Sequence, residues 1–352
     1  MSLAKRVKRA ILATNGLGMG VAVARSSWRQ NRLLILCYHG IAMGDEAGSH
    51  PEMFLPPETF ARRMEILSQR DCRVLPLGEG LHLLQEGKLP PRSVAITFDD
   101  GWADFRESAF PILQRHGFPA TVYLTTYYCL FNRPLFRFAL AYVMWKREGI
   151  YLETDSAPWS AGAIDLRTEE SRTALLWHMD EYAKSKNMSG RQKDELVAEF
   201  AGVVGFDYTN LLRQRLFHLM NPTEITEMAR GGVDFQLHTH RHRTPLDRLQ
   251  FIREIDENRE RLRDLAGPGN YTHFCYPSGA NRPEFITWLK EAGVQSATTC
   301  INGLAGSASD SYLLPRLLDQ CGLSDDEFES WVSGLAAFLP RRPGVALDVA
   351  PE

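Results

Sequence analysis

Two adjacent carboxylates and a three-histidine cluster are the groups in this chain whose types and spacing could do chemistry. Val94-Ala95-Ile96 runs through Thr97-Phe98 into Asp99-Asp100-Gly101-Trp102, a short apolar run ended by turn residues. In α/β folds the carboxyl ends of such strands are where ligands and chemistry collect. Two acids side by side resist joint ionisation, and a divalent cation relieves that cost. The second group is His238-Thr239-His240-Arg241-His242. His238 and His242 are four apart, a spacing that puts both rings on one face of a turn or helical loop. One oxygen ligand and two imidazoles leave open positions on a metal, as a catalytic site requires. Taken alone, each group has a plainer reading: an Asp-Asp-Gly turn, and a surface or supporting histidine cluster.

The elements that must position these groups read as strands alternating with helices. Leu33 to Ile41 is a buried strand with His39 at its C-terminal end, and Cys72 to Leu77 a shorter one. The 94–101 stretch is followed by a helix from Asp104 to His116, closed by Gly117, and by a strand at 120–126. The rhythm breaks at Tyr127; from there to Met220 the pattern is helical, an insertion with its own small core. It resumes with a strand at 233–237, a polar helix at 248–265 and a strand at 273–276 entering the turn Tyr276-Pro277-Ser278-Gly279. A helix at 282–292, strands at 294–300 and 312–318 and a helix at 325–339 follow. Such alternation predicts a parallel sheet or barrel. Four strands thus end in functional groups: His39, Asp99-Asp100, the histidine cluster and the Pro277 turn.

The net charge of -3 conceals an asymmetry. Lys5, Arg6, Lys8, Arg9, Arg25, Arg29 and Arg32 precede the first acid, Asp45, and the remainder carries 33 Lys and Arg against 43 Asp and Glu. Such a body does not fit nucleic acid, which calls for a basic patch. The basic start, residues 1–32, fits peripheral contact with an anionic membrane surface; a signal peptide or anchor is the alternative. The six cysteines are scattered with no ligand-like spacing, which favours reduced thiols and a cytoplasmic location, peripheral to the inner membrane face.

Together the three strand ends resemble the polysaccharide deacetylase family, the NodB-homology carbohydrate esterases. Its first motif, TFDD, is matched by Thr97-Phe98-Asp99-Asp100, and its H-S/T-x-x-H motif by His238-Thr239-His240-Arg241-His242. Its third, R-x-P-Y, is represented by Cys275-Tyr276-Pro277-Ser278. The resemblance covers roughly residues 33–126 and 222–339, on either side of the insertion at 127–221, with 340–352 left as a tail. It implies a distorted (β/α)7-type barrel and metal-assisted removal of N-acetyl groups from an amino-sugar glycan, in a glycan-biosynthetic role such as exopolysaccharide formation. Carried over residue by residue, Asp100, His238 and His242 would ligate a divalent metal, Zn²⁺ before others, and Asp99 would act as base. The backbone N–H of Ser278 would meet the oxyanion. Two departures bear on this. The arginine that supports the base is replaced by Cys275, and Arg316 on the last strand is the candidate substitute. No L-x-x-H motif supplies a general acid, so His39 is the candidate; a structural histidine is the competing reading. His240 is expected to support the ligands or face solvent, and Trp102 to line the sugar site or the core.

Three other readings compete with this one. An amidohydrolase using His238-x-His240 would need a barrel of roughly 250 residues, and only about 110 follow. A metal-retaining glycan-binding relic without activity and a deacylase acting on a non-polysaccharide substrate both stay open at the level of sequence.

Overall fold

A computed structural model describes residues 18–154, 157, 159–160 and 162–338. Most of the basic lead before Gly18 and the expected tail 340–352 lie outside the described residues. Seven strands carry the fold: β1 (Arg32–Tyr38), β2 (Ser93–Asp100), β3 (Thr121–Leu124), β4 (Asp234–Leu237), β5 (His273–Cys275), β6 (Ser296–Thr298) and β7 (Leu317–Leu318). They pair in parallel, β1 to β2, β2 to β3, β3 to β4, β4 to β5 and β5 to β6. β7 lies parallel on the other side of β1, and Leu314, just before it, bridges to Thr298 of β6. The segment Leu314–Leu318 therefore touches both ends of the curled sheet, in keeping with a distorted (β/α)7-type barrel.

Strand alternation sorts the apolar residues into two layers. Leu33 and Ile35 of β1, Ala95 of β2, Tyr123 of β3 and Cys275 of β5 pack together in the barrel interior. Leu34 and Leu36, Val94, Ile96 and Phe98, Val122 and Leu124, and Phe235 and Leu237 face the helices outside. Helix Pro57–Gln69 starts on a proline at its first turn and buries Phe60, Met64 and Leu67 in that outer layer. Helix Arg248–Ala266 is capped by Asp247, whose side chain accepts from the Gln250 N–H, and buries Phe251, Ile255 and Leu262 on one stripe.

The structure departs from the sequence-based pattern at four places. The expected strand 312–318 is broken at Pro315, which has no N–H to give a ladder, leaving the Leu314 bridge and β7. The expected helix 104–116 opens as a π-turn, Phe105–Ala109, before the α-helix Phe110–His116; Gly117 ends it at φ 64°. An unexpected pair, Ala305–Gly306, runs antiparallel to the start of β1. The stretch expected to be wholly helical carries helices Phe136–Lys146, Glu169–Ser185, Gly190–Val203 and Tyr208–Gln214, but also an antiparallel ribbon of Tyr151–Glu153 and Ala163–Asp165. Three residues per strand are too few for alternation to register.

Arg29 is fully buried, its guanidinium donating to the carbonyls of Val332, Arg32 and Ser93. Its charge belongs to the barrel floor and is not free for an external surface. No helix among the described residues is long and apolar enough to cross a membrane.

Candidate active site

Strand register brings the functional groups to one level. Tyr38 pairs with Phe98, so His39 falls beside Asp99; Asp100 pairs with Leu124 and Leu124 with Leu237, so His238 comes one step beyond. Leu237 pairs in turn with Phe274, which sets His238 level with Cys275. On β2 the residues at 95, 97 and 99 share the interior face, which aims Asp99 into the barrel. Asp100 would point the opposite way, but it adopts φ 71°, and the turn redirects its carboxylate to the mouth. Gly101 follows at φ 89°, where a Cβ would stand 2.1 Å from a methyl of Leu124; only glycine fits there. Thr239, His242 and Ser278 also have left-handed φ, of 62°, 54° and 54°. Local strain of this kind collects where surrounding structure holds functional groups in place.

Asp100 Oδ1 lies 3.2 Å from His238 Nε2 and 3.2 Å from His242 Nε2. The hydrogen-bond pattern assigns the His238 tautomer: Nδ1–H donates to the Cys275 carbonyl at 2.9 Å, leaving Nε2 facing the carboxylate. The second oxygen of Asp100 accepts from Trp102 Nε1 at 3.0 Å. Trp102 is buried against Phe54 and Phe138, so it sits in the core and orients Asp100 instead of lining a sugar cleft. One oxygen of Asp100 and a ring nitrogen from each histidine come within 4.8 Å of one another. A carboxylate oxygen facing two imidazole nitrogens is a donor set that favours positive charge between them. Donor type, the carbonyl-fixed tautomer and the Trp102 contact all suit a divalent cation such as Zn²⁺. Burial works against charge on Asp100, but the facing His238 and His242 rings outweigh it and hold its carboxyl well below the usual range.

Asp99 occupies a different environment. Arg316, with no exposed surface, reaches it from the strand-like segment before β7 and donates from both Nη atoms, at 2.7 Å to Oδ1 and 2.7 Å to Oδ2. The same guanidinium donates to Thr299 O at 3.0 Å and to Thr97 Oγ1 at 3.2 Å, so its fork is fixed. Cys275, where the motif's arginine would stand, packs at the junction: its Sγ is 3.3 Å from Asp99 Oδ2 and 3.1 Å from Arg316 Nη2. Burial pushes the Cys275 thiol well up, so it is the S–H that donates to the carboxylate. Burial also disfavours charge on Asp99, but the facing Arg316 overrides it and keeps the carboxylate ionised. His39 Nε2 stands 3.9 Å from Asp99 Oδ2, and burial lowers the pKa of its ring, with Asp99 opposing.

Ser278 sits in the Pro277–Gly279 turn. The turn closes through Gly279 N–H to Tyr276 O at 2.9 Å and Ala280 N–H to Pro277 O at 3.0 Å, without using the Ser278 N–H. His240 is buried, with Nδ1 2.8 Å from Thr126 Oγ1.

Helix Arg248–Ala266 contributes residues that spacing alone did not single out. Asn258 Oδ1 accepts from the His238 N–H at 2.9 Å, and its Nδ2 donates to Leu124 O and Thr126 Oγ1, each at 3.0 Å. Glu254 accepts from the Arg241 N–H at 2.8 Å and from the Arg241 and Arg243 side chains. Both carboxamide and carboxylate are buried one helical turn apart on the face that carries Phe251 and Ile255. Polar residues at apolar-stripe positions were the available signal.

Comparison with known proteins meets this geometry at the same segments. The family profile described as polysaccharide deacetylase matches residues 86–139 and 174–297. The poly-β-1,6-N-acetyl-D-glucosamine N-deacetylase of Staphylococcus epidermidis is 28% identical over 325 residues, 87% of this chain and 83% of that protein. YxkH of Bacillus subtilis, named for polysaccharide deacetylase, is 33% identical over 94 residues, 26% of this chain and about a third (32%) of that protein's length. Two solved structures share the fold: deacetylase PplD of Streptococcus pyogenes in complex with acetate and IcaB from Ammonifex degensii. PplD is 17% identical with TM-score 0.55, covering 88% of this chain and 99% of its own. IcaB is 16% identical with TM-score 0.51, covering 86% and 97%. With the profile covering half of the residues, including both aspartates and all three histidines of the cluster, the chain belongs to the polysaccharide deacetylase family.

Proposed function

We propose that this chain hydrolyses the N-acetyl groups of an amino-sugar glycan, with poly-β-1,6-N-acetyl-D-glucosamine or its precursors as the substrate class. The observation that carries the reading is the division of two adjacent carboxylates between two partners: Asp100 with two imidazoles, Asp99 with a guanidinium. The near full-length similarity to the Staphylococcus epidermidis deacetylase supports the choice of sugar. Asp100, His238 and His242 would hold the divalent cation. Bound there, the cation supplies Lewis-acid chemistry that acidifies water and polarises the amide carbonyl.

The chain's own residues do the rest. Asp99, kept ionised by Arg316, accepts the proton of the attacking water. Arg316 is a positioning residue that fixes both oxygens of the base. The Ser278 N–H, which the bonds closing its turn do not use, would stabilise the oxyanion. His39, kept neutral by burial and with Nε2 3.9 Å from Asp99 Oδ2, would take the water-derived proton from Asp99 and pass it to the leaving amine as the C–N bond breaks, giving acetate and a free amino sugar and returning Asp99 to its ionised form. Contact of residues 1–32 with the inner membrane face is part of the same proposal, tested by fractionation with vesicles of anionic and neutral lipid.

The activity test is acetate release, or a mass loss of about 42 Da per site, from N-acetylglucosamine oligomers with Zn²⁺ added or chelated. Metal-dependent release is expected, with Asp99→Asn lowering kcat by about 10²-fold or more. No release from any oligomer refutes the activity, and full activity in Asp99→Asn refutes the role of the base.

A further inference from the structure

The chain between β3 and helix Phe136–Lys146 exposes apolar and aromatic surface beside the histidine cluster. Tyr127 is 36% exposed, Leu130 44% and Phe131 46%, on a 3₁₀ turn at Tyr128–Leu130. Large apolar side chains at that exposure are normal singly but not as a group. This group is held from behind. The Tyr127 N–H donates to the His240 carbonyl at 2.8 Å, and the Tyr127 ring meets the His240 ring edge-on at 5.5 Å. The Phe131 ring lies 5.1 Å from that of Tyr127, and the Arg241 guanidinium 5.6 Å from the same ring. The turn follows β3, which is flanked by β2 with Asp100 and by β4 with His238. The aromatic pair is therefore fastened to the rim between the two strands that deliver the ligands.

We propose that Tyr127 and Phe131 form a stacking platform for the sugar rings next to the one being deacetylated, so that the site selects oligomeric over monomeric N-acetylhexosamine. The proposal rests on the glycan-deacetylase reading above. A hexopyranose presents an apolar face of C–H groups that packs on an aromatic ring, while its hydroxyls stay in water at the edges. A polymer brings a second such face a fixed distance from the scissile amide. The platform needs no charge, and its position beside the cluster continues the site outward along the rim. A ring held by backbone and neighbouring side chains loses little freedom on binding, so its apolar contact counts toward affinity.

The test compares the Zn²⁺-loaded full chain with Tyr127→Ala, Phe131→Ala and Tyr127→Phe on N-acetylglucosamine substrates from monosaccharide to pentasaccharide. For the wild type, KM is expected to fall as the oligomer lengthens. Both alanine variants are expected to raise KM for the pentasaccharide roughly three- to tenfold, with kcat within about twofold and the monosaccharide scarcely affected. Tyr127→Phe retains the platform and should behave as wild type. Phe131→Ala guards against a folding artefact, because the Phe131 side chain is half exposed and its removal leaves the Tyr127 N–H bond to the His240 carbonyl in place. A KM independent of length, or unchanged in both alanine variants, overturns the platform while leaving the deacetylase reading intact. If the wild type releases no acetate, that reading fails on its own terms. Calorimetric titration of the pentasaccharide then decides the platform: weaker binding in the alanine variants supports it, and equal or no binding overturns it.

Discussion

Arg316 reaches Asp99 across 217 residues of chain and meets both carboxylate oxygens in the buried barrel interior. Two opposite charges in that setting stabilise little as a pair, but removing one leaves the other buried without compensation, at about 3–5 kcal/mol. Arg316→Met is therefore expected to lower the unfolding free energy by about that amount, since Asp99 must then stay ionised alone or take up a proton. In Asp99→Asn/Arg316→Met no charge is stranded, and the double variant should recover about 2 kcal/mol or more relative to Arg316→Met. Urea denaturation at neutral pH measures the cycle. Additive losses would show that the fork does not couple the two residues. On the proposed mechanism Arg316→Met should lose deacetylation in kcat more than in KM, because Arg316 would position the base and not the sugar site.

At the scale of elements, helix Arg248–Ala266 acts as a brace behind β3 and β4. Asn258 satisfies the backbone N–H of His238, the carbonyl of Leu124 and the hydroxyl of Thr126 at once. Asn258→Leu removes all three partners, at about 1–3 kcal/mol for each buried group left unpaired. It also frees the backbone that aims His238, and if His238 ligates the proposed cation, Zn²⁺ affinity is expected to fall about 10- to 100-fold, the usual effect of losing an outer partner of a metal ligand. Competition with a chromophoric chelator reads this directly; unchanged affinity in a folded variant would remove the helix from the site. This helix also marks a limit of reading by pattern. Its many charges suggest a solvated face, and Glu254 and Asn258 stand out only once Phe251 and Ile255 have defined the buried stripe. β2 was legible for the opposite reason, because an apolar run ending in two acids is chemically odd without any fold around it. The link from Arg316 to Asp99 could be suspected only from the family's arginine being replaced by Cys275. The strand carrying it is interrupted by Pro315, so its register was not readable from alternation.

For the whole molecule, the stretch from Tyr127 to Met220 is joined to the barrel by an aromatic seam. The ring of His50 packs 5.0 Å from Phe138, 5.5 Å from Phe217 and 6.3 Å from Phe54, while Phe54 and Phe138 flank Trp102, the residue that orients Asp100. Burial lowers the pKa of His50 from its ordinary value of 6.5 to about 4. Between those two values the unfolded chain binds a proton at His50 that the folded chain refuses, so stability rises with pH across that window. The contribution is fully present above pH 6.5 and is lost as pH falls toward 4, reaching about 3 kcal/mol at the lower end and about 2 kcal/mol between pH 7 and pH 5. His50→Gln is neutral throughout and should escape that loss. Urea unfolding at pH 7 and pH 5 should show a drop about 2 kcal/mol larger in wild type than in His50→Gln, whatever the other groups contribute to both. Equal drops would mean that the seam does not exclude the imidazolium. Because the seam reaches Trp102, acid that opens it is also expected to weaken Zn²⁺ binding in wild type more than in His50→Gln. Chelator competition at pH 7 and pH 5.5 on both proteins reads that difference, and equal losses would disconnect the seam from the site.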